Sequence, residues 1–285
     1  MIFGVDGTGP YGNKAYASAM KGSFVAQLCS PSTPNVKWYW RGPDQLDTYG
    51  RGPSPESVAD VIRQYVTPRS QGKVYLTGYS RGGATVLDAA VILKDHDIPV
   101  EAIFLFDAVT RSPWLRGDVV PENVRYCYHA MRNPEAGSRN SFGNSPAKPA
   151  DGVTYEDERF WTTHGGMGGA PWGPDGLVKP AATCSPASAW QPPIAPGMGP
   201  AIQTPQQIAE EMVCRDPKRY ADKIYEGIPD WNFTNVTVEQ ERLGMDTVRL
   251  WMWDRLTHHG VVNSGPAREG PLRPKDTGDG FKARM

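Results

Sequence analysis

The sequence has few cysteines: Cys29, Cys127, Cys184 and Cys214 are the four in 285 residues, and none is in Cys-x-x-Cys spacing. That excludes a disulfide scaffold and predicts free thiols in a reducing compartment. No run approaches the ~20 apolar residues of a membrane span. Charge of either sign is not in excess: 30 basic against 31 acidic residues give a net charge of −1. The basic residues are scattered, so no field favours nucleic acid as a partner. The opening "MIFGVDGTGP" lacks a basic segment, an apolar run and a small-residue cleavage site. It predicts no conventional signal peptide, a protein cytoplasmic as synthesised, and any export by a specialised secretion system. There are no internal repeats.

Glycine (31) and proline (27) are abundant, and 39% of residues are hydrophobic. This composition fits long polar loops around one core, and the length suits a single large α/β domain. Apolar runs "MIFGV" (1–5), "VKWYW" (36–40), "KVYLTG" (73–78), "VEAIFLF" (100–106) and "NVRYCYHA" (123–130) read as strands. "SPESVADVIRQYV" reads as a helix capped by Ser54, with Pro55 at its first position. "GGATVLDAAVILK" (82–94) is a second helix. "TPQQIAEEMVC" carries a candidate Thr204–Gln207 capping box, and a long last helix opens at a Thr237–Gln240 box and stops at Gly260. Near-continuous apolar strands alternating with helices predict a mostly parallel central sheet covered on both faces. Residues 1–265 read as one domain, with 132–203 as active-site loops and cap. Residues 266–285 read as a polar tail, predicted to be mobile.

The stretch "KVYLTGYSRGGAT" places Gly-x-Ser-x-Gly between a strand and a helix. A serine there sits on a strained turn, and its Oγ projects from the C-terminal edge of the sheet. Gly78 and Gly82 leave room for neighbouring backbone, and the N–H of Arg81 faces a developing oxyanion. Ser80 is therefore the candidate nucleophile. A hydroxyl needs a base to accept its proton. Five histidines are available. His96 lies in a polar turn, and His258 and His259 suit the end of the last helix. His129 ends a strand and either lines the site or satisfies itself in the core. His164, delivered to a glycine-rich loop by a short β-rich run, is the candidate base. Asp107 directly follows "VEAIFLF", one strand beyond the elbow, where catalytic groups collect in open α/β sheets. It is the candidate carboxylate that orients the imidazole. The chain order Ser80, Asp107, His164 is that of α/β-hydrolases. Asp6 is the rival carboxylate. In "VDGTG" it braces a turn whose Gly7 or Thr8 N–H is expected to complete the oxyanion hole. No Gly-Lys-Ser/Thr follows to make that turn a phosphate loop.

These strings together resemble the uncharacterised-domain α/β-hydrolases that include type VI secretion lipase effectors. The resemblance rests on "GVDGTG", "GYSRGGA", "FDAVTRS", "YHAMRNPEAGSRNSF" and "THGGMGG", and spans roughly residues 1–170. It implies Ser80 as nucleophile, Asp107 as orienter and His164 as base. One departure is that Gly165 and Gly166 stand where the family usually has Ser-Asp. The resemblance further implies a lipid or phospholipid ester as substrate, membrane-surface contact, and an antibacterial effector with a cognate immunity protein. The chemistry needs no metal and no organic cofactor. Trp161, Trp172, Trp190, Met167 and Met198 either form an apolar lid or pack the loops. A hydrolase for small soluble esters and a non-catalytic binding module on the same fold are the alternatives.

Overall fold

A computed structural model describes residues 1–10, 12–30, 37–43, 52–66, 72–109, 119–138, 148–173 and 234–262. The helix expected from Thr204, together with Trp190, Met198, Cys184, Cys214 and the tail, lies outside the described residues.

The strands are β1 (Ile2–Val5), β2 (Lys37–Trp40), β3 (Tyr75–Tyr79), β4 (Val100–Phe106), β5 (Val119–Val120), β6 (Val124–Arg132), β7 (Lys148–Pro149) and β8 (Thr154–Phe160). The helices are α1 (Asn13–Ala19), α2 (Phe24–Leu28), α3 (Pro55–Tyr65), α4 (Arg81–Lys94), the single turn α5 (His164–Met167) and α6 (Val238–His258). Six strands form one sheet in the order β2-β1-β3-β4-β6-β8, and every pairing is parallel. β5 and β7 make a small parallel pair beside it.

The central strands are apolar almost throughout because both faces are covered. Phe3, Val5, Leu76, Ile103 and Leu105 pack with Val58 and Ile62 of α3 and Val86, Leu87 and Leu93 of α4. Ile2, Tyr75, Phe104 and Phe106 pack on the other face with Phe24 and Leu28 of α2 and Val248, Met252 and Leu256 of α6. Helix α4 is buried on nearly every side over its first three turns, because it lies between the sheet and α3. β8 differs: "TYEDERF" is mostly exposed, and its charges suit an edge strand that must not pair further.

Local signals set the ends. Ser54 Oγ accepts from Ser57 N at 3.2 Å, with Pro55 opening α3. Thr237 and Gln240 form a reciprocal capping box on α6. Gly260 follows with φ 66°, the left-handed conformation that ends helices.

The chain runs from β1 outward to β2, then returns across β1 to β3. The order therefore reverses between β1 and β3, and a crevice opens at their carboxyl ends. Asp6 and Ser80 stand at that point, with Asp107 and Arg132 at the ends of the next two strands.

Candidate active site

Ser80 occupies the hinge between β3 and α4 with φ 55° and ψ −128°, a conformation that costs a non-glycine residue energy. Its surroundings hold it there. Ser80 N donates to the Phe106 carbonyl at 3.0 Å, and the Ser80 carbonyl accepts from Gly83 N at 2.9 Å and Val109 N at 3.1 Å. The elbow glycines are steric necessities. A Cβ on Gly82 would collide with the carbonyl oxygens of Val5 and Asp6, and one on Gly78 would lie 2.6 Å from the Gly82 oxygen. Arg81 N–H lies in the first turn of α4, where backbone donors point out of the helix end.

The structure brings Ser80, His164 and Asp107 into one hydrogen-bonded chain. His164 Nε2 lies 2.9 Å from Ser80 Oγ, and His164 Nδ1 lies 2.6 Å from Asp107 Oδ2. All three side chains are buried. Asp107 itself has φ 45°, so the second strand end is strained as well. Burial opposes the charge on Asp107, but Arg132 and His164 outweigh it and hold the carboxyl well below the usual carboxylate range. Arg132 was not singled out from sequence. Its Nη1 donates to Asp107 Oδ2 at 2.5 Å and its backbone N–H to Oδ1 at 3.3 Å.

His164 is fixed by residues from four parts of the chain. Tyr79 Oη donates to the His164 carbonyl at 2.8 Å, and His164 N donates to Ser138 Oγ at 2.8 Å. Thr163 caps the turn, accepting from Gly166 N at 2.9 Å. Glu241, buried in the first turns of α6, accepts from the Thr163 hydroxyl at 2.5 Å, Trp172 N at 2.8 Å and Gly173 N at 3.0 Å. The Glu241 carbonyl also accepts from Thr162 Oγ1 at 2.9 Å. This clamp accounts for Gly165 and Gly166. A Cβ on Gly166 would strike Thr162 Oγ1, and one on Gly165 would strike the Ala170 carbonyl and the Trp172 ring. The carboxylate that steadies the turn is supplied by a distant helix.

The β1 turn leans on the serine: a Cβ on Gly7 would lie 3.0 Å from Ser80 Cβ. Tyr16 pins this turn, donating to the Gly7 carbonyl at 2.6 Å and accepting from Gly42 N at 2.7 Å. The expectation for Gly7 needs correction. Its N–H is committed to Asp6 Oδ1 at 2.9 Å, because that carboxylate is buried and takes the nearest donor. Asp6 Oδ2 accepts from Tyr39 Oη at 2.9 Å. Burial raises the Asp6 pKa, with hydrogen bonds from Ser23, Gly7 and Tyr39 opposing the rise. Through these two bonds Asp6 braces the turn. Thr8 is the remaining candidate there, and its hydroxyl is buried with no hydrogen-bond partner among the described residues.

His129 lies behind Asp107. Its Nε2 accepts from Ala108 N at 3.1 Å, so it steadies the turn after β4. Burial pushes its pKa down to about 4, with Asp107 opposing and Arg132 adding to the fall. The neutral ring is thus a supporting group. His96 is exposed. His259 packs the end of α6 against Tyr75, Phe104, Tyr126 and Tyr128 near the opposite edge of the sheet. Among the described residues no group of His, Cys, Asp and Glu could hold a metal, and no helix is long and apolar enough to cross a membrane.

No family model and no curated protein matches the chain. Solved structures give remote likenesses. The NocB thioesterase domain, in covalent complex with a fluorophosphonate nocardicin G analogue, is 17% identical over 57% of this chain and 84% of that one, with a TM-score of 0.32. RedJ, with a polyethylene glycol molecule in its active site, is 14% identical over 60% and 88%, with a TM-score of 0.34. An uncharacterized protein from Pseudomonas aeruginosa is 12% identical over 85% of this chain and 48% of its own, with a TM-score of 0.38. The parallel sheet, its covering helices and the strand–serine–helix elbow make the fold α/β-hydrolase-like.

Proposed function

We propose that the chain is a serine ester hydrolase. The observation that carries this reading is the continuous relay from Ser80 Oγ through His164 to Asp107 at 2.9 and 2.6 Å, anchored on a strained elbow. A polar chain of this kind, buried at the switch point of a parallel sheet, is built for proton transfer from a hydroxyl.

In this reading Ser80 Oγ attacks the ester carbonyl as His164 Nε2 takes its proton. Asp107 accepts from Nδ1–H and stabilises the imidazolium. The oxyanion is received by Arg81 N–H and Thr8 N–H, on the two strand ends that flank the switch point. His164 then protonates the departing alkoxide, and water releases the acyl group by the same steps in reverse. His129 and Asp6 hold the two turns.

The substrate we propose is a lipid or phospholipid ester. The sequence resemblance to effector lipases supports it, and the half-buried Trp161 and Trp172 beside the His164 turn supply apolar surface. Hydrolysis should be followed on phosphatidylglycerol–phosphatidylethanolamine vesicles and on p-nitrophenyl acetate, with Ser80→Ala and His164→Ala as controls. Turnover that rises steeply once the lipid is presented as vesicles, and vanishes in both variants, supports the lipid reading. Turnover of the soluble ester alone makes it a small-ester hydrolase. Turnover indifferent to both substitutions removes the serine mechanism.

A further inference from the structure

Asp107 serves two partners with one oxygen. Its Oδ2 accepts from His164 Nδ1 at 2.6 Å and from Arg132 Nη1 at 2.5 Å, and Arg132 Nη1 stands 3.5 Å from His164 Nδ1. Arg132 is 2% exposed and Asp107 fully buried. Orientation alone does not require this. The Arg132 backbone N–H already holds Oδ1, and a carboxylate on an imidazole needs only neutral donors behind it. A guanidinium keeps its charge at every working pH. Buried this deep, it is poorly screened by water or salt.

We propose that Arg132 is a charge-balancing and positioning residue. By sharing Oδ2 with His164 it keeps Asp107 anionic and offsets that anion's pull on a second imidazole proton, so the relay stays armed in mildly acidic solution. The inference rests on the serine hydrolase reading and deepens it.

Among the described residues, the other titratable groups hydrogen-bonded around the relay are neutral or acidic. His129 of β6 is kept neutral by burial and by accepting from Ala108 N, and Tyr155 of β8 sits behind it at 3.4 Å. Tyr79 of β3 donates to the His164 carbonyl, and Glu241 of α6 is engaged by Thr163, Trp172 and Gly173. Asp6 is held by Gly7 and Tyr39. Arg132 is the cation that the described residues place against Asp107 beside His164.

The test is the rate of fluorophosphonate labelling of Ser80 in the full chain between pH 4.5 and 9, with the adduct located by mass spectrometry. A folded Arg132→Gln variant should still label Ser80 at high pH. Its acid limb should move upward by about one to three pH units, the usual effect of one close charge. Arg132→Lys restores a cation, so its limb should stay within about half a unit of the parent. The proposal is overturned if folded Arg132→Gln keeps the parental limb. It is equally overturned if Arg132→Lys moves by more than about one unit, a result that stands even if the Gln variant does not fold. No Ser80 adduct on the parent at any pH is a different result: it removes the hydrolase reading and this proposal with it.

Discussion

Glu241 gives the sharpest prediction about how the site is held. It lies 77 residues beyond His164 in the chain, yet its carboxylate takes the hydroxyl that caps the histidine's turn and two backbone N–H groups from the segment that follows it. Glu241→Ala strips acceptors from all three. A buried donor left unmet costs about 1–3 kcal/mol. Thr163 is fully buried and should bear most of that cost, whereas Trp172 and Gly173 are half-buried and water can replace part of what they lose. The sum comes to about 3 kcal/mol, within the usual ceiling for one substitution. The released turn should also misplace the imidazole, and a displacement of about 1 Å costs roughly 100-fold in rate. Glu241→Gln keeps one acceptor oxygen and should lose about 1 kcal/mol with a milder rate effect. Urea unfolding gives the first quantity, and the rate of Ser80 labelling by a fluorophosphonate gives the second. If folded Glu241→Ala unfolds within about 0.5 kcal/mol of the parent and labels at the parental rate, the clamp does not position His164 and the reasoning fails.

Two further substitutions probe the frame. Gly82→Ala forces a Cβ onto the Val5 and Asp6 carbonyls, so it should cost about 2 kcal/mol or more and open the elbow; a parental urea midpoint would show that the backbone there yields freely. His129 is held neutral with its pKa pushed down to about 4, while in the unfolded chain it titrates near about 6.5. Between those values the unfolded chain binds the extra proton, so stability falls as pH drops through the window. The full loss, about 3 kcal/mol, is reached below about pH 4. His129→Gln should flatten this part of the stability profile, and an unchanged slope in urea unfolding between pH 7 and 4 would rule out His129 as its source.

Much of the frame could be read from residues because local rules and tertiary packing agree there. "VEAIFLF" is buried on both faces, and it lies where an apolar run of that kind belongs in a parallel sheet. The elbow was legible because Gly78 and Gly82 are demanded by backbone contacts only a few residues or one strand away. Asp107 and His164 could be named because strand ends and glycine-rich turns are where such groups gather. What escaped depends on distant partners. α1 and α2 are short, and their apolar side chains make sense only against the sheet face and α6. Arg132 lies two residues past the "NVRYCYHA" run, at the start of the region read as loops, and β6 in fact extends to it, so its burial against Asp107 had no local signal. Glu241 sits in an unremarkable "EQER" run, and its role needs α6 folded back over the His164 turn. Of the two N–H groups expected to serve the oxyanion, that of Gly7 is engaged because the Asp6 side chain curls back onto its own neighbour, a local preference of aspartate at turns.

The central claim is that Ser80 is an activated nucleophile, and the most direct measurement is fluorophosphonate treatment of the purified chain followed by peptide mass spectrometry. The account predicts a single adduct on Ser80, absent in Ser80→Ala and lost in folded His164→Ala. A well-folded chain left unmodified at Ser80, in the presence and absence of lipid vesicles, would contradict it.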